Sequence, residues 1–301
     1  MPADRSARSA AAETGADEAG ADEKSAGRLA AVLGQPIGHS LSPVLHRAAY
    51  AALGLTGWRY EAIECAEDDL PRVLAAYPDA AGFSATMPLK RTVLRVADRI
   101  SPMAAAIGAG NTLLPLPGAS GWYADNTDWT GITDALAERG VVAERAVLLG
   151  AGGTAQAALA ALAGTAELTV LVREPARAAE LLAAAERLTV PVRLGRLADL
   201  DPVTGPGRAA ELLISTLPPG AADQLLPRLP LRAGLAVLDV VYAGWPTPLG
   251  AAALAAGATV VSGAAMLLHQ AARQVELMTG RAAPVEAMRA AMRAAVPGCG
   301  C

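Results

Sequence analysis

Two lysines occur in the 301-residue chain, Lys24 near the start and Lys90 in the body, against a background of arginine. A chain needing only positive charge at position 90 would carry arginine there. Lysine can give up and regain a proton, whereas guanidinium stays charged. Lys90, which follows Thr86-Met87-Pro88-Leu89, therefore reads as a proton-transfer residue, against the plainer reading of an exposed helix lysine. Asparagine is as rare: Asn111 and Asn126 are the two in the chain, each followed by threonine. Asp125 and Asp128 flank Asn126-Thr127. Such residues before a helix either cap it or, near a lone lysine, tune its proton affinity and hold substrate hydroxyls. Spacing alone leaves both open. Ser40 and Ser42, ahead of Pro43, likewise read as a cap or as hydroxyls at a helix start that would take a carboxylate.

A second chemistry is written in Ala146-Val147-Leu148-Leu149 running into Gly150-Ala151-Gly152-Gly153-Thr154-Ala155. This G-x-G-x-x-A sits between a strand and an Ala/Leu helix. Gly150 permits the tight turn, Gly152 lets backbone approach a pyrophosphate, and Ala155 allows close helix–strand packing. Gly153 and Thr154 open the helix, whose free N–H groups suit phosphate. At the end of the next strand, an acid would bind the ribose hydroxyls of NAD and an arginine the extra phosphate of NADP. The residues there are Val172-Arg173-Glu174. They favour NADP through Arg173 and leave NAD open.

The elements that must position these groups alternate. Strand signals fall at 29–33, 58–63, 81–86, 112–116, 122–124, 146–149, 168–172, 190–194, 211–215 and 235–240. Helix signals begin at Ser42, Glu67, Pro88, Trp129, Thr154 and Pro175, and the chain reads as helical from Gly263 onward. This rhythm predicts an α/β protein with two domains. Its expected limits are a disordered tail at 1–27, a substrate domain at 28–128, a Rossmann-like domain at 129–261, and C-terminal helices at 262–301 that return to the first domain.

Charge and composition exclude several classes. A net charge of −4 argues against bulk nucleic-acid binding. The uncharged run from Leu249 to Leu268 is broken by Gly257, Ser262 and Gly263, and reads as helix, turn, strand and helix start, not as a membrane span. Three cysteines and three histidines offer neither a disulfide framework nor metal-ligand spacing, so no metal is expected and a reducing cytoplasm is. A homodimer is an assembly the sequence leaves open.

Gly34-Gln35-Pro36-Ile37-Gly38-His39-Ser40-Leu41-Ser42-Pro43 resembles the opening signature of the shikimate dehydrogenase family. Thr86-Met87-Pro88-Leu89-Lys90, Gly110-Asn111-Thr112, Asp125-Asn126-Thr127-Asp128, the Gly150 turn, Trp245-Pro246-Thr247-Pro248 and the Gly263–Gln270 stretch follow in the family's order. The resemblance implies NADPH-dependent, reversible reduction of 3-dehydroshikimate to shikimate. It implies Lys90 and Asp125 as the catalytic pair, and Ser40 and Ser42 on the substrate carboxylate. Thr86, Asn111 and Gln270 would hold ring hydroxyls with Tyr242 nearby, and Gly263 and Met266 would approach the nicotinamide. The chain departs from the family at Ser84, at Val172 and Glu174, in the Ser215–Gly220 loop and at Trp129. These departures leave room for a quinate/shikimate or aminoshikimate dehydrogenase using NAD or NADP. A catalytically inactive nucleotide-sensing regulator is the competing class.

Overall fold

The computed structural model describes residues 27–200 and 209–301. Residues 1–26, nearly all of the tail expected to be disordered, lie outside the described residues, as do 201–208. Among the described residues the chain builds two six-stranded sheets. The first contains β1 (Leu29–Gly34), β2 (Arg59–Glu64), β3 (Gly82–Ala85), β4 (Arg99–Ile100), β5 (Thr112–Pro115) and β6 (Trp122–Asp125), in the order β2-β1-β3-β5-β6-β4. β1 lies parallel to β2 and β3, and β5 runs antiparallel to β3 and β6. As a central strand covered on both faces, β1 is apolar along nearly its whole length, without alternation. Its helices are α1 (Ser42–Ala52), α2 (Leu70–Ala76), α3 (Thr92–Val96) and α4 (Pro102–Ile107).

Helix α5 (Asp128–Glu138) leads to the second sheet. Its strands are β7 (Arg145–Leu149), β8 (Glu167–Val172), β9 (Val192–Arg196), β10 (Leu212–Ser215), β11 (Ala236–Asp239) and β12 (Thr259–Ser262). All are parallel, in the order β12-β11-β10-β7-β8-β9. This is the doubly wound Rossmann order, and its reversal between β7 and β10 is where such sheets bind ligand. Helices α6 (Gly153–Ala161), α7 (Ala179–Arg187) and α8 (Pro248–Ala255) accompany it. α9 (Gly263–Thr279) and α10 (Val285–Ala295) then return to the first sheet. Met288 and Met292 of α10 share a core with Leu45 and Ala49 of α1, and Arg281 donates to the Leu53 carbonyl at 3.0 Å.

Three local expectations change. The helix expected from Pro88 starts only at Thr92, because the Lys90 carbonyl accepts from the Gly110 N–H at 2.7 Å and is lost to helical bonding. β4 and α4 occupy a stretch that showed no sequence signal. The segment after Gly263 is two helices, since Gly280 ends α9 in the left-handed conformation.

His46, on α1, is fully buried and stacks on Tyr60 with ring centroids 3.9 Å apart. Burial holds it down to about 3, so it is neutral in the fold. The unfolded chain therefore binds a proton that the fold does not, between about pH 6.5 and 3. Stability should fall as pH drops through that window, by up to about 4–5 kcal/mol from this residue. Urea titrations between pH 7 and pH 4 should show a smaller acid loss for His46→Leu than for the unaltered protein, and an equal loss would exclude this assignment.

Candidate active site

Lys90 sits on the 87–90 turn and opens into a cleft of about 260 Å³ between the sheets. Its Nζ donates to Asp128 Oδ2 at 2.5 Å, and Thr154 Oγ1, at the start of α6, lies 3.5 Å from it. Asp128 is buried at the first residue of α5. Its other oxygen accepts from Asn111 Nδ2 at 2.8 Å, and its backbone N–H donates to Asn126 Oδ1 at 2.9 Å. Both asparagines of the chain thus bond to one aspartate, Asn111 to its carboxylate and Asn126 to its backbone N–H.

The expected partner, Asp125, does not reach Lys90. It still belongs to β6, where it pairs with Thr112, and its carboxylate accepts from Ser101 Oγ at 2.6 Å and the Asn126 N–H at 2.8 Å. Three residues on, the chain has turned into α5, and that turn brings Asp128 to the cleft. Asp128 is therefore the partner of Lys90, in place of Asp125.

Ser40, Ser42, Thr86, Asn111, Tyr242, Gly263, Met266 and Gln270 all line the same cleft. Ser42 is not the cap of α1: that helix has no side-chain cap, and the Ser42 N–H instead donates to Ser40 Oγ at 3.3 Å. Gln270 donates to the Leu267 carbonyl at 3.0 Å, which turns its Oε1 toward Asn111 Nδ2 at 3.3 Å. Burial raises Tyr242 above its ordinary range, so its hydroxyl stays protonated. Gly263 starts α9 against β11's end: a Cβ there would lie 2.2 Å from the Val240 carbonyl oxygen. Trp129 packs instead beside Ile107, Ala109, Ala157 and Ala160, outside the cleft lining. It does not shape the substrate pocket.

The nucleotide turn has the geometry its glycines foretold. Gly150 has φ +112, and a Cβ there would lie 2.4 Å from Thr216 Oγ1. Gly152 precedes α6 at its N-cap with no side-chain cap, and nothing lies within 4 Å of where its Cβ would stand. Ala155 is buried in the first turn of α6. Open space before uncapped N–H groups fits a pyrophosphate. At the end of β8, Val172 is buried while Arg173 is exposed. Glu174 is drawn to Arg196 at 3.6 Å, so its carboxylate is engaged on the neighbouring strand. Arg177, four residues after Arg173, is also exposed and adds a second cation that the sequence reading did not single out. Gln274 was missed too, although it stands one turn after Gln270 on the same helix and lines the cleft.

A lysine–carboxylate pair facing a dinucleotide turn defines a class, the two-domain dinucleotide-binding oxidoreductases. Residues 32–113 match the shikimate dehydrogenase substrate binding domain, and residues 263–293 match the shikimate 5′-dehydrogenase C-terminal domain. The NADP(+) shikimate dehydrogenase of Moorella thermoacetica is 38% identical over 91% of this chain and 95% of its own length. The shikimate dehydrogenase structure from Mycobacterium tuberculosis is 46% identical, covers 89% of this chain and 99% of that one, and superposes with a TM-score of 0.80. A Thermus thermophilus shikimate 5-dehydrogenase, solved with NADP(H) and shikimate, is 35% identical over 89% of this chain and 99% of that one, with a TM-score of 0.74. The chain belongs to the shikimate dehydrogenase family. No helix of the described residues is long and apolar enough to cross a membrane.

Asp128→Asn should lower kcat by about 10²–10⁴-fold, the usual range for a proton-transfer group. Asp125→Asn should stay within about threefold of the unaltered enzyme, since Asp125 serves Ser101. Steady-state kinetics of both variants separate the two carboxylates, and the reverse order of losses would restore Asp125 as the partner.

Proposed function

We propose that this chain reduces 3-dehydroshikimate to shikimate with NADPH, reversibly, in aromatic amino-acid biosynthesis. The single observation that carries this is Lys90, paired with Asp128 and within reach of Thr154 at the nucleotide turn. Bound nicotinamide supplies hydride to a ketone carbon. Lys90, charged and held by Asp128, stands where the oxygen of that ketone gains negative charge, stabilises it and donates the proton. Asp128 fixes the ammonium and accepts from a neighbouring ring hydroxyl. Ser40 and Ser42 hold the substrate carboxylate. Thr86, Asn111, Gln270 and Tyr242 supply the hydroxyl contacts, while Gly263 and Met266 form the nicotinamide side of the cleft. Gly150, Gly152, Gly153 and Thr154 would receive the pyrophosphate, with Ala155 packed beneath them, and Arg173 with Arg177 would flank the 2′-phosphate.

On this reading the substrate domain spans 28–128, the nucleotide domain 129–261, and residues 262–301 close back on the first. Three free, buried cysteines, Cys65, Cys299 and Cys301, suit a reducing cytoplasm. The intact Lys90–Asp128 pair favours an enzyme over a sensing regulator.

Shikimate-dependent reduction of NADP, followed by absorbance, tests the activity directly. Lys90→Ala should lose about 10²–10⁴-fold in kcat, and Lys90→Arg should recover little, because guanidinium cannot give up its proton. Shikimate oxidation requires Lys90 to accept a proton, which alanine cannot do. Near-normal turnover of Lys90→Arg would leave Lys90 an electrostatic group only.

The cofactor is tested separately. Arg173→Ala and Arg177→Ala should each raise the KM for NADP about tenfold or more and leave that for NAD nearly unchanged. Equal losses with both cofactors would make the arginines structural.

A further inference from the structure

Behind the Lys90–Asp128 pair lies a line of buried hydrogen bonds whose direction is fixed by backbone groups. The Asn111 amide can point only one way. Its Oδ1 accepts from the Thr127 backbone N–H at 2.8 Å, a group that can only donate. Its Nδ2 therefore faces Asp128 Oδ1 at 2.8 Å. Gln274 is fixed in the same manner. Its Nε2 donates to the Asn111 backbone carbonyl at 3.1 Å, which can only accept, so its Oε1 faces Ser84.

Between these two amides stands the Thr112 hydroxyl, with one proton to give. It accepts from Gln274 Nε2 at 3.0 Å, so that proton goes to Asn111 Oδ1 at 2.8 Å. The same logic continues backward. Ser84 gives its proton to Gln274 Oε1 at 2.7 Å and accepts from the Tyr60 hydroxyl at 2.6 Å. Every donor from Tyr60 through Ser84, Gln274, Thr112 and Asn111 points toward Asp128. Thr112 is wholly buried and does not line the cleft, so substrate does not reach it.

We propose that Thr112 is a positioning residue for the Lys90–Asp128 pair: its hydroxyl, set by Gln274, is a second donor to the Asn111 oxygen that the Thr127 N–H already orients, and holds the amide in place so that Asp128 keeps one oxygen for Asn111 and turns the other to Lys90. Hydrogen bonds aligned in one direction polarise one another, which strengthens the last donor in the line. The proposal rests on the pair being the proton-transfer group, and the experiment keeps the two apart.

Thr112→Val keeps the shape and removes the hydroxyl. Measured by shikimate-dependent NADP reduction, kcat should fall about tenfold, the worth of one hydrogen bond bearing on a charged group, with the KM for NADP unchanged. Thr112→Ser should recover most of that loss, because it restores the proton. In an Asp128→Asn background, Thr112→Val should cost nothing further, since the residue acts through Asp128. Three results would overturn the proposal: unaltered kcat in Thr112→Val, the same loss in Thr112→Ser, or a full additional loss on top of Asp128→Asn. If Thr112→Val does not fold, Gln274→Met removes the donor that sets Thr112, and its kcat loss should vanish in the Asp128→Asn background in the same way; persistence of the loss would overturn the proposal. Near-normal turnover of Asp128→Asn itself would refute the catalytic reading of the pair, and the positioning role with it. A dead Asp128→Asn beside an unaffected Thr112→Val would refute the positioning role alone.

Discussion

A lysine and a carboxylate held 2.5 Å apart, with Asp128 almost out of water, set the terms for the rest of this structure. Withdrawing charges from solvent is costly unless each polar atom finds a partner. Asp128 meets that condition on every side: Lys90 and Asn111 donate to its two oxygens, and Asn126 accepts from its N–H. Lys90 remains partly open to the cleft, with donors left for a substrate oxygen. The demand reaches into the backbone. The 87–90 turn presents the lysine and is tied by Gly110 to the segment that carries Asn111 into β5, while α5 begins where its first residue can face the turn.

The second sheet is placed by the same cleft. Thr154 opens α6 beside Lys90, so the Gly150 turn and the lysine meet across the cleft. Helix α9 completes the arrangement. It leaves β12 tightly against the end of β11, which only glycine at 263 allows, and runs to the first sheet. Along one face it carries Met266, Gln270 and Gln274 into the cleft, and the last bonds to Asn111 and Thr112. One helix thereby ties the second sheet, the cleft and the residues behind the Lys90–Asp128 pair together.

Much of this was legible in the residues. The Gly150 turn between an apolar strand and an Ala-rich helix announced the Rossmann order, because the close approaches it requires admit few side chains. Lys90 stood out because an arginine-rich chain had kept a lysine. The choice between Asp125 and Asp128 was not legible. Both flank the same Asn-Thr, and only the point where β6 gives way to α5 decides which carboxylate meets the lysine. The helix expected at Pro88 failed for a similar reason: a long-range bond from Gly110 takes the carbonyl that the helix needed. Ser42 by itself read as a cap, and only the structure shows Ser40 taking the local N–H bond. Thr112 stood in the sequence only as the residue after Asn111, since its role depends on Gln274, far along the chain.

The central claim is that Lys90 and Asp128 act as one unit, and a double-mutant cycle in single-turnover reduction of 3-dehydroshikimate tests it most directly. Lys90→Ala and Asp128→Asn, alone and combined, should give losses that fail to add, with the double variant close to the worse single one. Losses that multiply in full would show two independent groups and contradict the account.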